Sequence, residues 1–427
     1  MTREPGSGML QRNDIEQRPA GGQDRVVAAG ERGALAARPD LLAGETRRRP
    51  LRVTHVVRQF YPSVGGLENF VLSLAREQQR AGLTVKVLTL NRIKMDKRSL
   101  LPETGEVEGI PVRRIGFAGS FKYPLAPGVL KHLADADIIH VHAVDFFCDF
   151  LAATRWLHGK PLILTTHGGF FHTPFARVLK KAFFASVTRL SMHAYDRVFA
   201  CSIHDLELFR PIAGDRLMLL DNGVDTAKFR DAASPVFKPN FLFIGRFASN
   251  KGLDHLIDTF AELLEHVPDA RLHIAGTDWG GLLDGMRARI GSKKIDKSIE
   301  IHLNLTDAAI KDLMHDCSFF ITASEYEAFG LTTVEGMSAG LIPVTSKLKS
   351  FENVIDAAGV GMTMDFSNAQ ASGLQIARYM SEVMPCYGEH RQRSMTASLT
   401  FDWSSVSMRT TPEYERVLPP RPQQTKT

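Results

Sequence analysis

The feature that most limits the fold of this chain is a rhythm of short, nearly unbroken apolar runs separated by stretches with helical spacing. The runs are Arg52–Val57, Thr84–Leu90, Val112–Ile115, Ile138–Val141, Leu162–Thr166, Arg197–Ala200 and Leu217–Leu219. A strand with one wet face alternates apolar and polar residues. A run without alternation reads as a parallel strand covered on both faces. Leu67–Ala81 and Phe175–Tyr195 are examples of the helical stretches between them. This order predicts a doubly wound α/β domain.

The rhythm stops at Ala232–Asn240, which holds two prolines and reads as a linker, and then restarts. New runs follow at Phe241–Gly245, Arg271–Ala275, Ile299–Leu303, Phe319–Thr322 and Ile342–Thr345, with helices predicted at Leu253–His266, Asp307–His315 and Leu331–Ala339. A length of 427 residues suits two or three domains. The expected division is a disordered leader over 1–50, a first domain over 51–228, a second over 229–400, a helical stretch over 401–418 and a disordered tail over 419–427. The leader is rich in Ala, Gly and Arg and lacks the apolar core of a secretory signal. A net charge of +5 is too mild to point to nucleic acid, and no DNA- or RNA-binding signature appears. Four cysteines lie far apart with no CxxC, which favours neither a zinc cluster nor a disulfide framework and fits a reducing compartment. No apolar stretch reaches the ~18 residues of a membrane span.

The chemistry-bearing residues fall at the ends of predicted strands. Ser324 to Gly340 follows an apolar run and opens a helix near Leu331; Glu327 and Glu335 stand eight residues apart in it. A helix N-terminus presents unpaired N–H groups and partial positive charge, which suit a diphosphate at Phe329-Gly330-Leu331. A carboxylate accepts two hydrogen bonds side by side, as vicinal sugar hydroxyls require. Arg246 and Lys251 bracket the strand-to-helix turn Gly245–Gly252, where a fork and a point charge can hold a phosphate. Gly65-Gly66 allows close backbone approach after the first strand but is not GxGxxG, so a nicotinamide cofactor is disfavoured. His167 ends another strand and can bond a sugar hydroxyl, although a single histidine is more often structural. His140 and His142 share a strand face, without a third metal ligand nearby in sequence. Asp135-Ala136-Asp137 resembles a metal-binding DxD but precedes a buried strand and reads as incidental.

Together these residues resemble retaining glycosyltransferases of the GT-B fold, in glycosyltransferase family 4. Glu327 and Glu335, the Gly245-Arg246…Lys251-Gly252 turn, Gly65-Gly66 and Asn222-Gly223-Val224-Asp225 carry the likeness, which covers roughly Leu51–Leu418. The resemblance implies two Rossmann-like domains facing across a cleft. It places Glu327 by the donor sugar, Glu335 by the ribose, Gly65-Gly66 against the diphosphate from the first domain and His167 at the donor hexose. A C-terminal helix would return to the first domain, and the linker at 225–240 would act with it as a hinge. Arg246 and Lys251 are expected to stabilise the departing diphosphate, so no metal cofactor is expected. His55-Val56-Val57-Arg58-Gln59-Phe60, Arg114-Ile115-Gly116-Phe117, Asp145-Phe146-Phe147 and Thr166 to Thr173 further resemble the α-1,3-mannosyltransferases of exopolysaccharide assembly. That likeness implies GDP-mannose as donor and a polyprenyl-diphosphate-linked cellobiose as acceptor. Departures are the leader and Gly336, where many relatives have Ala.

A lipid-linked acceptor gives a reading to Arg177–Leu190, which is basic and apolar at helical spacing. Lys180, Lys181, Phe183 and Phe184 would meet an anionic membrane surface; the other reading makes Phe183, Phe184 and Val187 core and leaves the cations merely solvated. The expected location is cytoplasmic, peripheral on the inner face of the membrane. Competing readings are a family 4 hexosyltransferase using a UDP-sugar, a GT-B nucleotide-sugar epimerase, and a non-catalytic nucleotide-sugar binder, the last disfavoured by intact Glu327, Glu335, Arg246 and Lys251.

Overall fold

The computed structural model describes residues 49–93, 99–121, 123–168, 182–327 and 329–419. Most of the predicted leader and the tail from residue 420 lie outside them. Two parallel sheets dominate. In the first lobe the strands are β1 (Arg52–Val57), β2 (Thr84–Leu90), β3 (Thr104–Val107), β4 (Ile110–Ile115), β7 (Ile138–His142), β8 (Leu162–Thr165), β9 (Arg197–Ala200) and β10 (Leu217–Leu219). They lie in the order β10-β9-β8-β7-β1-β2-β4-β3, with only β3 antiparallel. A separate hairpin pairs β5 (Ala118–Ser120) with β6 (Tyr123–Leu125).

The second sheet holds β11 (Asn240–Phe247), β12 (Arg271–Asp278), β13 (Ile299–Leu303), β14 (Phe319–Thr322), β15 (Ile342–Ser346) and β16 (Met362–Met364), in the order β13-β12-β11-β14-β15-β16. In both sheets the winding reverses beside the first strand, between β1 and β7 and between β11 and β14. Loops leaving the carboxyl ends of strands part there, so a crevice opens where ligands bind. The central strands β7, β8 and β14 are buried at every residue, as unbroken apolar runs require. In the second lobe Phe241 and Phe319 stack at 4.9 Å within a core that includes Phe243, Phe247 and Phe260.

The chain passes between lobes twice, and the passages are joined. Val224 bridges to Asp402, its N–H bonding the Phe401 carbonyl at 2.8 Å, while Thr226 Oγ1 donates to the Asp402 carboxylate at 2.6 Å. Asp402 also caps the helix Trp403–Arg416. That crossing helix packs on the helix Gly66–Arg80 and contributes Val406 and Tyr414 to the first-lobe core. The predicted linker Ala232–Asn240 is not slack. Ala232, Ala233 and Ser234 are buried, with the Ala233 N–H bonded to the Ala339 carbonyl at 2.8 Å and the Ser234 N–H to Cys317 at 3.1 Å. The expected hinge at 225–240 is corrected accordingly. Its later part is fixed to the second lobe, leaving the paired passages near 222–226 and 401–403.

Trp403 lies over Gly223. A Cβ at 223 would stand 2.2–2.7 Å from the Trp403 ring atoms, so only glycine fits. Gly223→Ala is expected to cost about 1–3 kcal/mol by overpacking. Urea unfolding checks this, and an unchanged midpoint would mean that Trp403 yields freely.

Candidate active site

Two loops form the site in the second lobe. One leaves β11 and runs through Arg246 to Lys251; the other leaves β14 and runs from Ala323 to the helix Leu331–Ala339. They flank the reversal point of the sheet and brace each other. The Glu325 N–H bonds the Asn250 carbonyl at 2.9 Å, and Asn250 Nδ2 donates to the Tyr326 carbonyl at 3.2 Å. Gly330 caps the helix with φ +90°, and a Cβ there would stand 2.7 Å from the Phe351 ring. That left-handed turn directs the first N–H groups of the helix toward the loop from β11.

A cavity of about 450 Å³ lies between these loops, and Arg246, Lys251, Glu327, Phe329, Gly330 and Leu331 all line it. Lys251 Nζ is hydrogen-bonded to the Glu327 carboxylate, and both side chains are mostly buried. Arg246 is exposed, with its guanidinium 5.0 Å from the ring centroid of Trp279. Stacking leaves its N–H edge available to an anion. The site therefore holds two cations and a helix N-terminus around one space, the arrangement a diphosphate requires.

A second cavity, of about 540 Å³, opens between the lobes. Gly66, His167, Glu335 and Trp403 line it, and Leu331 and Asn222 line both cavities. The two carboxylates set eight apart thus serve adjoining spaces: Glu327 faces Lys251, and Glu335 lies 3.8 Å from Lys228 Nζ. Gly65 caps the helix Gly66–Arg80 in extended backbone, and only Gly66 reaches the cavity lining.

His167 ends a chain of buried polar groups. Its backbone sits at φ +53°, held by Asp205, whose carboxylate accepts from Thr166 Oγ1 at 2.5 Å and from the Gly168 N–H at 2.8 Å. His167 Nε2 lies 3.0 Å from His142 Nδ1, and His142 Nε2 lies 2.8 Å from His55 Nδ1. The ring centroids of these pairs are 5.2 and 5.1 Å apart, little more than the N···N distances plus two ring radii. The nitrogens therefore point straight at one another, as in hydrogen bonds. His55 Nε2 bonds Gln78 Oε1 at 2.8 Å, Gln78 Nε2 donates to Tyr414 Oη at 2.8 Å, and Tyr414 Oη meets His140 Nδ1 at 2.7 Å. His140 Nε2 closes on Thr165 Oγ1 at 2.6 Å. Burial lowers all four histidines, His55 to about 4 and His167 to about 3, so they are neutral. His55 supplies the third imidazole that the sequence did not place near His140 and His142, yet every nitrogen of the three rings is already bonded. A metal there would have to displace those bonds.

Other predicted residues fall away from the cleft. Asp135 pairs with Lys86, and Asp137 accepts from the Arg52 N–H, both as structural contacts. Lys180 and Lys181 lie outside the described residues. Phe183 and Phe184 are corrected as a membrane-facing pair: Phe184 packs edge-on to Phe209 at 5.2 Å in the first-lobe core, and Phe183 approaches Tyr123 at 6.2 Å. A π-helical turn at Phe184–Thr188 shifts the helical phase, so Val187 and Leu190 face outward instead. The sequence did not single out Lys228, Asp205, Trp279 or Phe70. Lys228 lies only three residues beyond the noted Asn222–Asp225 stretch, which is the signal that could have found it.

Comparison with known proteins bears on this geometry. The family described as Glycosyltransferase Family 4 matches residues 64–228, and that described as Glycosyl transferases group 1 matches 224–394. The GDP-mannose:cellobiosyl-diphosphopolyprenol alpha-mannosyltransferase of Komagataeibacter xylinus is 41% identical over 370 residues, covering 86% of this chain and 94% of its own. The protein of the same name from Xanthomonas oryzae pv. oryzae (strain PXO99A) is 37% identical, covering 86% and 97%. The chain belongs to glycosyltransferase family 4. A glycosyltransferase structure from Rickettsia africae ESF-5 superposes with a TM-score of 0.67 at 19% identity, covering 87% of this chain and 100% of that one. The two sheets are thus the two halves of a GT-B fold, and this family 4 member is a hexose-transferring enzyme.

Glu335 yields a pH prediction. Burial raises its carboxyl above the usual 4.5, Lys228 draws it back, and Asp307 and Asp225 add to the rise. Between about 4.5 and the raised value the folded chain keeps a proton that the unfolded chain has lost, so stability falls as pH rises through that window. Glu335→Gln is expected to remove that fall. Urea unfolding across the window, variant against wild type, checks it; parallel curves would contradict the assignment.

Proposed function

We propose that this family 4 enzyme moves mannose from GDP-mannose onto a glucose hydroxyl of a polyprenyl-diphosphate-linked cellobiose, retaining the α configuration, in exopolysaccharide assembly. The observation that carries the donor half is the single cavity shared by Arg246, Lys251 and the start of the helix Leu331–Ala339. Cleavage of the sugar C–O bond builds negative charge on the departing diphosphate. Fixed positive groups aimed at that charge lower the barrier without reorganising. In the ligand-free chain Glu327 neutralises Lys251, and an entering diphosphate competes for the same cation. Glu327 is then free to meet the donor sugar, Glu335 serves the ribose, and His167 holds the hexose. The acceptor hydroxyl attacks on the face the diphosphate leaves. Its proton passes to a diphosphate oxygen, giving GDP and the new glycoside with no protein nucleophile. Two cations and a helix N-terminus supply the charge this step needs, so the proposal includes no metal cofactor, and chelation by EDTA should leave the rate unchanged.

The names of the two relatives support the choice of mannose, guanosine and a polyprenyl-diphosphate acceptor. No helix among the described residues is long and apolar enough to cross a membrane. Peripheral attachment at the inner face is supported by large exposed side chains on the first lobe, Trp156 at 80% and Leu190 at 75%. Arg155, beside Trp156, bonds the Ala194 carbonyl and pairs with Asp196 at 2.8 Å, which ties these two segments together.

Incubation with labelled GDP-mannose or UDP-hexoses and a lipid extract tests the reading. Label should reach lipid from GDP-mannose; transfer from a UDP-sugar instead would favour the other hexosyltransferase reading. Arg246→Ala should lower turnover about 10²–10³-fold, with stability within about 0.5 kcal/mol of wild type because the residue is exposed. Flotation with anionic vesicles should carry the wild type upward and the Trp156→Ala/Leu190→Ala variant less; absence of wild-type binding would remove the membrane assignment.

A further inference from the structure

The chain of buried polar groups behind His167 has a direction, and that direction is set far from the cleft. Each neutral imidazole has one N–H donor and one bare acceptor, and the bond made by one nitrogen decides which is which. Gln78 Oε1 can only accept, so His55 carries its proton on Nε2 and presents a bare Nδ1 to His142. His142 must donate from Nε2, which leaves its Nδ1 bare toward His167. His167 must then donate from Nε2. Its Nδ1 then carries no proton and faces the Cys201 thiol at 3.8 Å as a weak acceptor, and both residues line the inter-lobe cavity. On the other side of Gln78, the amide N–H donates to Tyr414 Oη, whose hydroxyl also meets His140 Nδ1. The Gln78 amide, with Oε1 toward His55 and Nε2 toward Tyr414, sets the direction of the series, and Tyr414 is the partner that its N–H would lose if the hydroxyl were removed.

Tyr414 and Trp403 both lie on the crossing helix. Trp403 packs edge-on to Phe70 at 5.1 Å, and Phe70 packs edge-on to His167 at 4.5 Å. One end of the helix thus fixes the plane of the His167 ring, and the other fixes its protonation through Gln78, His55 and His142.

We propose that Gln78 and Tyr414 are positioning residues that lock His167 as the Nε2–H tautomer, so that its Nδ1 meets the donor sugar only as an acceptor for a hydroxyl. The proposal deepens the assignment of His167 to the donor hexose and rests on it for its catalytic consequence. A hydroxyl that donates to a ring nitrogen is held in one orientation. A histidine able to switch tautomers would accept from that hydroxyl or donate to a competing acceptor atom equally well, and would discriminate less between donor sugars.

The experiment uses full-length protein with ¹⁵N-labelled histidine rings, His167 being assigned by its loss in His167→Gln. Wild type should show His167 with Nε2 protonated and Nδ1 bare, unchanged between pH 8 and 6. Tyr414→Phe, which keeps the ring and removes one hydroxyl, and Gln78→Leu should each give a mixture of tautomers. Loss of one such oriented hydrogen bond corresponds to about a tenfold fall in kcat/KM. A wild-type His167 protonated on Nδ1, or a Tyr414→Phe protein with an unaltered tautomer, would overturn the proposal. An altered tautomer with unchanged kinetics would uphold the positioning chain and remove His167 from the donor site.

Discussion

Everything functional in this chain follows from one constraint: a parallel sheet sends all its strand-to-helix loops out of the same edge. Two such sheets in one chain can share a ligand only if those edges face each other across a cleft. The chain holds that arrangement by passing between lobes twice and bonding the passages together, Val224 to Asp402 and Thr226 to Asp402. Phe329, at the end of the phosphate-facing loop, packs against Phe401 at 5.6 Å. The junction that fixes the two sheets is therefore continuous with the loop that would grip the diphosphate.

The charge arrangement in the cleft is balanced before any ligand arrives. Lys251 faces Glu327, and Lys228 lies between Asp307 at 2.8 Å and Glu335 at 3.8 Å. Partly buried charges without partners would cost several kcal/mol each. Pairing removes that cost in the empty site while keeping the cations where an anion can displace a carboxylate. Arg246 is the exception. It stands exposed against the Trp279 ring, so it can meet the diphosphate without first displacing a carboxylate.

The sequence disclosed those parts of the fold whose causes are local. The runs at β8 and β14 are apolar at every position but the last because both faces are covered, and that is visible residue by residue. Arg246, Lys251 and Glu327 were legible because each sits within about five residues of a strand end, and Leu331 because it opens a helix. β3, antiparallel at the sheet edge, and the separate β5–β6 hairpin escaped notice, being short and largely exposed, where no apolar run is needed. The orientation of Phe183 and Phe184 was misjudged because a π-helical turn breaks the 3.6-residue spacing on which such a reading rests. Asp205 acts through Thr166 and Gly168, far along the chain, and no local pattern marks it; Lys228 stands beside the noted Asn222–Asp225 stretch, but its partners Asp307 and Glu335 are distant.

The histidine chain is the extreme of this non-locality. Gln78 and Tyr414 touch across 336 positions, and His55 and His142 across 87. Its presence cannot be put down to what a doubly wound sheet needs in its centre. The same two neighbouring strands of the second lobe, β11 and β14, fill that place with Phe241 stacked on Phe319. In the first lobe β1 and β7 put His55 against His140 in register. An apolar filling satisfies a core with no polar group to place, whereas a buried polar filling requires each donor and acceptor to find a partner. The first lobe meets that demand with a bonded series ending at His167, on the wall of the cleft. The difference between the lobes is thus one of connection: the second carries its candidate site on loops above an apolar core, while the first extends a hydrogen-bonded core to the wall of the inter-lobe cavity.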